Sequence, residues 1–205
     1  MKPNLIEKDL LKSSGGVFSE AFFDDPFISY VFPDSDEKKL KSPKYWHLAL
    51  KYAYLYGEVY TISKNLEGVV AWLPSDKLDT SIVRIIRSGN FKLPWLVGSS
   101  AFKRLLTCVE WVMSLQKKMA PFKHMYLNAL CVSPNHQGKG YSNTLLKPMF
   151  ERLDKEELPC YMETQKQHIV PFYERHGFKV VDEQKIPGTD LMNWAMIRHP
   201  NPKIL

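Results

Sequence analysis

Gly138 and Gly140 bracket Lys139 between an apolar run, "HMYLNALCV", and a helix-like one, "YSNTLLKPMFERLDKEE". A strand that delivers the chain to a helix N-terminus leaves backbone N–H groups without acceptors, and the helix dipole there favours an anion. Glycine takes positive φ at little cost and leaves the backbone open to close approach. The chemistry on offer in "HQGKGYS" is a phosphate cradle, and a plain strand-to-helix turn is the other reading of the same residues. Two well-known cradles are excluded. A P-loop places Lys-Ser or Lys-Thr after its last glycine, whereas Gly140 is followed by Tyr141. A dinucleotide fingerprint needs a third glycine and an acidic residue after the second strand, and neither is laid out that way.

The elements that must position this loop follow from periodicity. "HMYLNALCV" is an almost unbroken apolar run, as expected of a central strand buried on both faces. The helix after the loop leads to "PCYMET", a short strand, so the order β-α-β predicts a parallel pair with a right-handed crossover. "IVPFYERHG" reads as a short helix capped by Gly177, and "FKVVDEQKI" and "LMNWAMIR" as a closing strand pair. Upstream, "EVYTIS" and "LEGVVAWLP" form a hairpin. The first segment predicts one or two helices broken near Gly15-Gly16, and "SDEKKLKSPKYWHLALKYAYLYG" is helical in its second half, ending at Gly57. Residues 78–120 change to helical periodicity and read as an insertion capping one side of the sheet. The fold class is α/β in one domain, residues 1–205.

Bulk composition bounds the function. A hydrophobic fraction of 44% supplies a full core, and 28 Lys and Arg against 22 Asp and Glu make the chain mildly basic. That charge suits an anionic ligand, but no Lys/Arg run points to nucleic acid. Cys108, Cys131 and Cys160 are odd in number and lack CxxC spacing, which argues against a disulfide framework and a zinc site and fits a reducing cytoplasm. Charges run through the N-terminal "MKPNLIEKDLL", so no signal peptide is expected, and no apolar run approaches the ~20 residues that span a bilayer. The expected setting is cytoplasmic, without metal, membrane or nucleic-acid partner, as a monomer or homodimer.

"VSPNHQGKGYS", followed about one βαβ unit later by "PFYERHGF", resembles the GNAT superfamily of acyl-CoA-dependent N-acyltransferases. The superfamily's Q/R-x-x-G-x-G/A signature falls on Gln137, Gly140 and Ser142. "AFFDDP", "VVAWLP", "METQKQHIVPFYERHGFKVV" and "NWAMIR" extend the resemblance, in order, to a branch that includes puromycin N-acetyltransferase. The resemblance implies a mixed, largely antiparallel sheet with a splayed parallel pair, flanked by helices. It implies acetyl-CoA as co-substrate, its pyrophosphate held by Gln137, Gly138, Lys139, Gly140, Tyr141 and Ser142. The pantetheine arm would pair with the backbone of Leu130, Cys131 and Val132. Tyr173 corresponds to the tyrosine that protonates the departing thiolate, a task suited to a phenol with reference pKa about 10.

The group that deprotonates the amine stays open among Glu163, His124, His168, Asp24 and Asp25, with Glu163 first because it ends the strand "CYMET" near the ligand. Cys131 as an acyl-accepting nucleophile is the competing thought, and no histidine in the sequence looks placed to activate it. "FFDDPFISYVF" offers aromatics and carboxylates for a cationic amine, with core packing as its duller use. Two positions depart from the pattern: Ser142 stands where Gly or Ala is usual, and Ile169 where the branch often has Asn. Gln165 or Gln167 would then support the cofactor. The function expected is acetyl transfer to a primary amine of a small molecule or peptide by direct attack. A non-catalytic CoA-binding or partner-binding module on the same fold is the alternative.

Overall fold

A computed structural model describes residues 2–79 and 81–201; Met1, Thr80 and residues 202–205, on which parts of the terminal, insertion and domain readings fall, lie outside the described residues. The strands are β1 (Asn4–Leu5), β2 (Glu58–Thr61), β3 (Gly68–Pro74), β4 (Met125–Val132), β5 (Cys160–Thr164), β6 (Phe178–Lys185) and β7 (Met192–Arg198). They form one sheet in the order β1-β2-β3-β4-β5-β7-β6. Every neighbouring pair is antiparallel except β4 and β5. The mixed sheet with one parallel pair is therefore as expected. The two-residue β1 was not foreseen, because so short an edge strand carries no periodicity.

The β4–β5 pairing lasts for only two register steps, Met125↔Cys160 and Tyr126↔Tyr161. On its other side β4 follows β3 to Val132, but the register slips: Ala71 faces Ala129 while Trp72 faces Leu127, so Asn128 is an extra residue in a β-bulge. Before the bulge Met125 and Leu127 face one core and Tyr126 the other; after it Ala129 and Cys131 join the core of Tyr126, and Leu130 packs against the first. The expectation of a strand buried on both faces holds only up to Leu127, and Asn128, Leu130 and Val132 are half-buried. The strand turns half-exposed where its parallel neighbour leaves it.

One face of the sheet is covered by α1 (Leu11–Ala21) and α3 (Ser35–Tyr56), the other by α7 (Tyr141–Lys155), with α8 (Val170–Glu174) against β6. Two sequence expectations fail here. No break occurs at Gly15-Gly16, since α1 runs through both. A Cβ on Gly15 would lie 2.6 Å from the Pro43 carbonyl and 2.9 Å from the His47 amide, so this glycine lets two helices touch backbone to backbone. Nor is α3 confined to its second half. Asp34 accepts hydrogen bonds from the amides of Asp36 (3.0 Å) and Glu37 (2.8 Å), and that cap starts the helix eight residues before Pro43. Pro43 removes one ladder donor without ending the helix. Pro148 is likewise carried inside α7.

The 78–120 segment forms α4 (Ile82–Ser88), α5 (Leu93–Val97) and α6 (Ser99–Met119). These pack on α2 (Pro26–Val31) and α3, so the insertion is a second layer over helices rather than a direct cap on the sheet. Its Cys108 also packs under the β6–β7 hairpin at Ile186 and Leu191.

Two neighbouring glycines separate packing from propensity. Gly15→Ala is expected to cost about 1–3 kcal/mol by overpacking against Pro43. Gly16→Ala, whose Cβ would meet nothing within 4 Å, is expected to stabilise by about 0.5–1 kcal/mol. Urea unfolding of both variants checks the opposite signs.

Candidate active site

The glycine loop begins with a 3-10 turn at Pro134–His136 and enters α7 through Gly140. Gly138 and Gly140 both take positive φ, 77° and 78°, and a Cβ on either would meet nothing within 4 Å. The glycines therefore serve the backbone turn and leave open space above it, which is the form a cradle needs and internal packing does not. Gly140 is the N-cap and provides no side-chain acceptor, so the first-turn amides of Tyr141 and Ser142 face outward. Ser142 does not cap the helix. Gln137 folds back to donate to the Val132 carbonyl (3.3 Å), tying the loop to the end of β4, and Lys139 reaches the Asn135 carbonyl (3.4 Å).

Past Tyr126 the edge of β4 that faces β5 has no strand partner among the described residues. Leu130, Cys131 and Val132 lie on this free edge and run directly into the loop. An extended chain bearing amides can pair with such an edge as an added strand.

On the α1/α3 face, beneath the parting, Tyr126, Tyr161 and Glu163 converge. Tyr126 and Tyr161 stack with ring centroids 6.0 Å apart, and the Tyr126 hydroxyl donates to Glu163 Oε2 at 2.6 Å. Glu163 Oε1 and the Tyr161 hydroxyl are buried without a hydrogen-bond partner. Burial pushes the Glu163 carboxyl up to about 7, against the opposing pull of Tyr126 and of the nearby Tyr161 hydroxyl. A carboxyl poised near neutrality with one oxygen unsatisfied is suited to taking a proton.

Tyr173 lies on the opposite face, against Phe172 and Phe178 with centroids 5.1 and 5.6 Å away. Burial, with a smaller contribution from Cys160, raises its phenol well above the ordinary value, so it stays protonated at any physiological pH. Its hydroxyl has no hydrogen-bond partner among the described residues, which leaves the proton available. The two predicted catalytic groups thus lie on opposite faces of the sheet, Glu163 with Tyr126 on the α1/α3 side and Tyr173 in the α7-side core.

The Acetyltransferase (GNAT) domain family matches residues 114–190, a span that holds β4, the loop, α7, β5 and α8. Over that span the chain is similar to GNAT acetyltransferases. By class it is an acetyl-CoA-dependent N-acetyltransferase. An uncharacterized N-acetyltransferase of Schizosaccharomyces pombe is 28% identical over 98% of this chain and 84% of its own length. Among solved structures, a histone acetyltransferase HPA2 and related acetyltransferase from Corynebacterium glutamicum superposes with TM-score 0.68 at 19% identity, covering 98% of each chain. Arylalkylamine N-acetyltransferase 2 from Aedes aegypti superposes with TM-score 0.66 at 15% identity, over 98% of this chain and 99% of that one. At these identities the two structures show a shared fold.

Other candidates within or near the matched span are accounted for otherwise. Cys131 points into the α1/α3 core and burial raises its thiol strongly, which removes the thiolate a nucleophile requires. His124 is buried, its Nδ1 against the Phe122 carbonyl (2.7 Å) and its Nε2 against Gln116 (3.0 Å). Desolvation lowers its pKa, so it is a neutral ring with both nitrogens occupied. His168 and Asp24 are exposed. Asp25 caps α2 by accepting from Phe27 (3.0 Å) and Ile28 (3.3 Å), and pairs with Lys166 at 3.3 Å. Its carboxylate is committed to structure, which corrects its reading as an amine holder. Gln165 donates to Asn193 (2.7 Å), Gln167 is exposed, and Ile169 packs with the α7-side core.

Sequence reasoning missed Tyr126 and Tyr161. Their only signal was register: counting along a parallel pair from its first step puts both rings beneath Glu163. A separate cavity of about 550 Å³ between α7 and α8, lined by Lys147, Arg175 and His176, holds none of the predicted site residues.

The raised carboxyl has a thermodynamic signature. Between pH 4.5, its ordinary value, and about 7, the folded chain holds more protons at Glu163 than the unfolded chain does. Stability from this group is therefore expected to fall as pH rises through that window, by up to about 1.4 kcal/mol per pH unit, and to level off above it. Glu163→Gln is expected to remove the slope, and Tyr126→Phe to move the folded midpoint upward by removing a donor to the carboxylate. Urea unfolding across pH, with carbon NMR of the Glu163 carboxyl, measures both.

Proposed function

We propose that this single-domain chain transfers an acetyl group from acetyl-CoA to the primary amine of a small molecule or peptide by direct attack. The observation that carries the reading is the parting of β4 from β5, with an unsatisfied buried carboxylate oxygen on one side and an unpartnered phenol on the other. The open backbone of Gln137, Gly138, Lys139, Gly140, Tyr141 and Ser142 receives the pyrophosphate, and the free edge at Leu130, Cys131 and Val132 pairs with the pantetheine amides. This seats the thioester in the parting itself. Bound there, acetyl-CoA supplies an activated acyl group and a good leaving thiolate.

Glu163 accepts the proton of the attacking amine, directly or through one water, as the new C–N bond forms. Tyr173 gives its proton to sulfur as the C–S bond breaks. The acid and base are kept apart by the sheet, so neither neutralises the other before substrate arrives. Tyr126 is a positioning residue: its donated hydrogen bond holds Oε2, which leaves Oε1 as the oxygen without a partner. The aromatics Phe27, Tyr30 and Trp111, partly buried against Ile186 and Leu191, give the acceptor side an apolar wall built jointly by α2, α6 and the β6–β7 turn.

The deciding experiment is a thermal-shift titration with acetyl-CoA followed by thiol release over a panel of amines. The expected result is a saturable stabilisation together with thiol release on at least one amine. Stabilisation without release on any amine would support the non-catalytic alternative, and no stabilisation would count against both. Tyr173→Phe is expected to lower kcat ~10- to 100-fold with the acetyl-CoA shift intact. In the wild type kcat/KM should fall as pH drops below about 7, where Glu163 protonates, and Glu163→Gln should be slow and flat over that limb. Equal turnover in the Tyr173 variant would remove the phenol from the mechanism.

A further inference from the structure

The mild positive charge of the chain is not evenly spread. Residues 80–109 contain no Asp or Glu and five cations, Arg84, Arg87, Lys92, Lys103 and Arg104. The same segment carries the most exposed large apolar side chains of the described residues. Trp95 is 79% exposed and Ile82 77%, with Val83, Ile86 and Phe91 also well outside the core. On α4 the residues Ile82, Val83, Ile86 and Arg87 share one outward face by helical spacing. Phe91, Lys92 and Trp95 continue that display through the turn into α5.

Not all five cations face outward. The Arg84 guanidinium donates to the Asp79 carbonyl (2.8 Å), and Arg104 to the Val31 carbonyl (2.8 and 3.0 Å). Arg87, Lys92 and Lys103 are exposed and make no ion pair among the described residues. A sixth cation joins from α3, whose Lys51 ammonium lies 3.5 Å from the position a Cβ would take on Gly89, just after α4.

We propose that the outer face of α4 and α5 docks on an anionic lipid surface. Lys and Arg beside exposed Trp, Phe and Ile is the pattern of a segment that lies in the interface. Its apolar side chains enter the headgroup–acyl boundary and its cations meet acidic headgroups. A second copy of the chain fits this face poorly, because a two-fold contact would set the unpaired cations Arg87 and Lys92 against their own copies. Trp95 and Ile82 are each more than three-quarters exposed, Trp95 at 79% and Ile82 at 77%, so both side chains are free to enter a fluid surface. The expectation of no membrane partner rested on the lack of a spanning segment, and no helix of the described residues is long and apolar enough to cross a bilayer. Lying on a membrane requires no such helix.

The test is sedimentation of the full chain with phosphatidylcholine vesicles, with and without phosphatidylserine, at low and high salt. Binding is expected only to the serine-containing vesicles, and to fall with salt. Arg87→Ser with Lys92→Ser should weaken it on the order of 30-fold at low salt. Trp95→Ser should weaken it as well and abolish a vesicle-dependent blue shift in tryptophan emission. An unchanged thermal-shift response to acetyl-CoA in these variants shows that the fold and the cofactor site are intact, so the lipid result stands apart from the catalytic reading. Equal binding to neutral vesicles, no binding at low salt, or wild-type binding by the variants overturns the proposal. A concentration-dependent dimer that Trp95→Ser dissolves assigns the face to a second copy and also overturns it.

Discussion

One extra residue in one strand organises the site. Asn128 has no counterpart on β3, so the backbone of β4 kinks and reverses the faces of every residue after it. The kink falls two residues after the last β4–β5 register pair, Tyr126↔Tyr161. A bulged strand bends and twists more strongly, and here β4 stays with β3 while β5 stays with β7 over its whole length, from Cys160↔Arg198 to Thr164↔Trp194. The sheet thus becomes two antiparallel blocks joined by two steps of parallel pairing. Unpaired backbone edges inside a fold are costly unless something satisfies them, and the same open edge is what an amide-bearing ligand arm requires.

The division into two blocks also explains how the chemistry is distributed. Successive residues of β5 alternate between faces, so Cys160 and Met162 enter the α7-side core, whereas Tyr161 and Glu163 face α1 and α3. A carboxyl placed on that apolar face loses water on most sides, and its pKa rises until a proton is nearly as stable on it as off. Tyr173 undergoes the same desolvation with the opposite usefulness, since burial of a phenol keeps its proton in place. Desolvation therefore brings a carboxyl close to neutrality on one face and holds a phenol's proton in place on the other.

How far the sequence reveals this depends on the range of the interaction involved. The glycine loop is local: strand, positive-φ turns at Gly138 and Gly140 and a helix start are all written within about a dozen residues, and the loop is as expected. The place of Glu163 near the end of a short strand was legible too. The hydrogen bond from Tyr126 was not, because it joins residues 37 apart and depends on register across a parallel pair. The bulge was invisible for a related reason. "MYLNALCV" is apolar on both sides of Asn128 with no alternation, so a change of phase there leaves no mark on its pattern. Gly15-Gly16 misled in the other direction, since local propensity predicts a break and helix–helix contact at Pro43 overrides it.

The paired acids of "FFDDP" show how the same residue types can hold a site together without taking part in it. Asp25 spends its carboxylate on two amides at the start of α2 and on the ammonium of Lys166, which also lies 5.4 Å above the Phe22 ring. Lys166 follows β5 by two residues, so the ion pair fastens the far end of that strand to the α1–α2 corner. A largely buried pair of this kind adds little net stability, because desolvation offsets the attraction, yet loss of either partner strands a buried charge. Its value is geometric. β4 has already departed at this level, and beyond Tyr161 no strand pairing among the described residues joins β5 to the other block, only the Tyr126–Glu163 hydrogen bond. The Asp25–Lys166 contact stands in for the missing strand pairing and fixes the end of β5 three residues beyond Glu163, which allows the parting to stay open without letting the carboxylate drift.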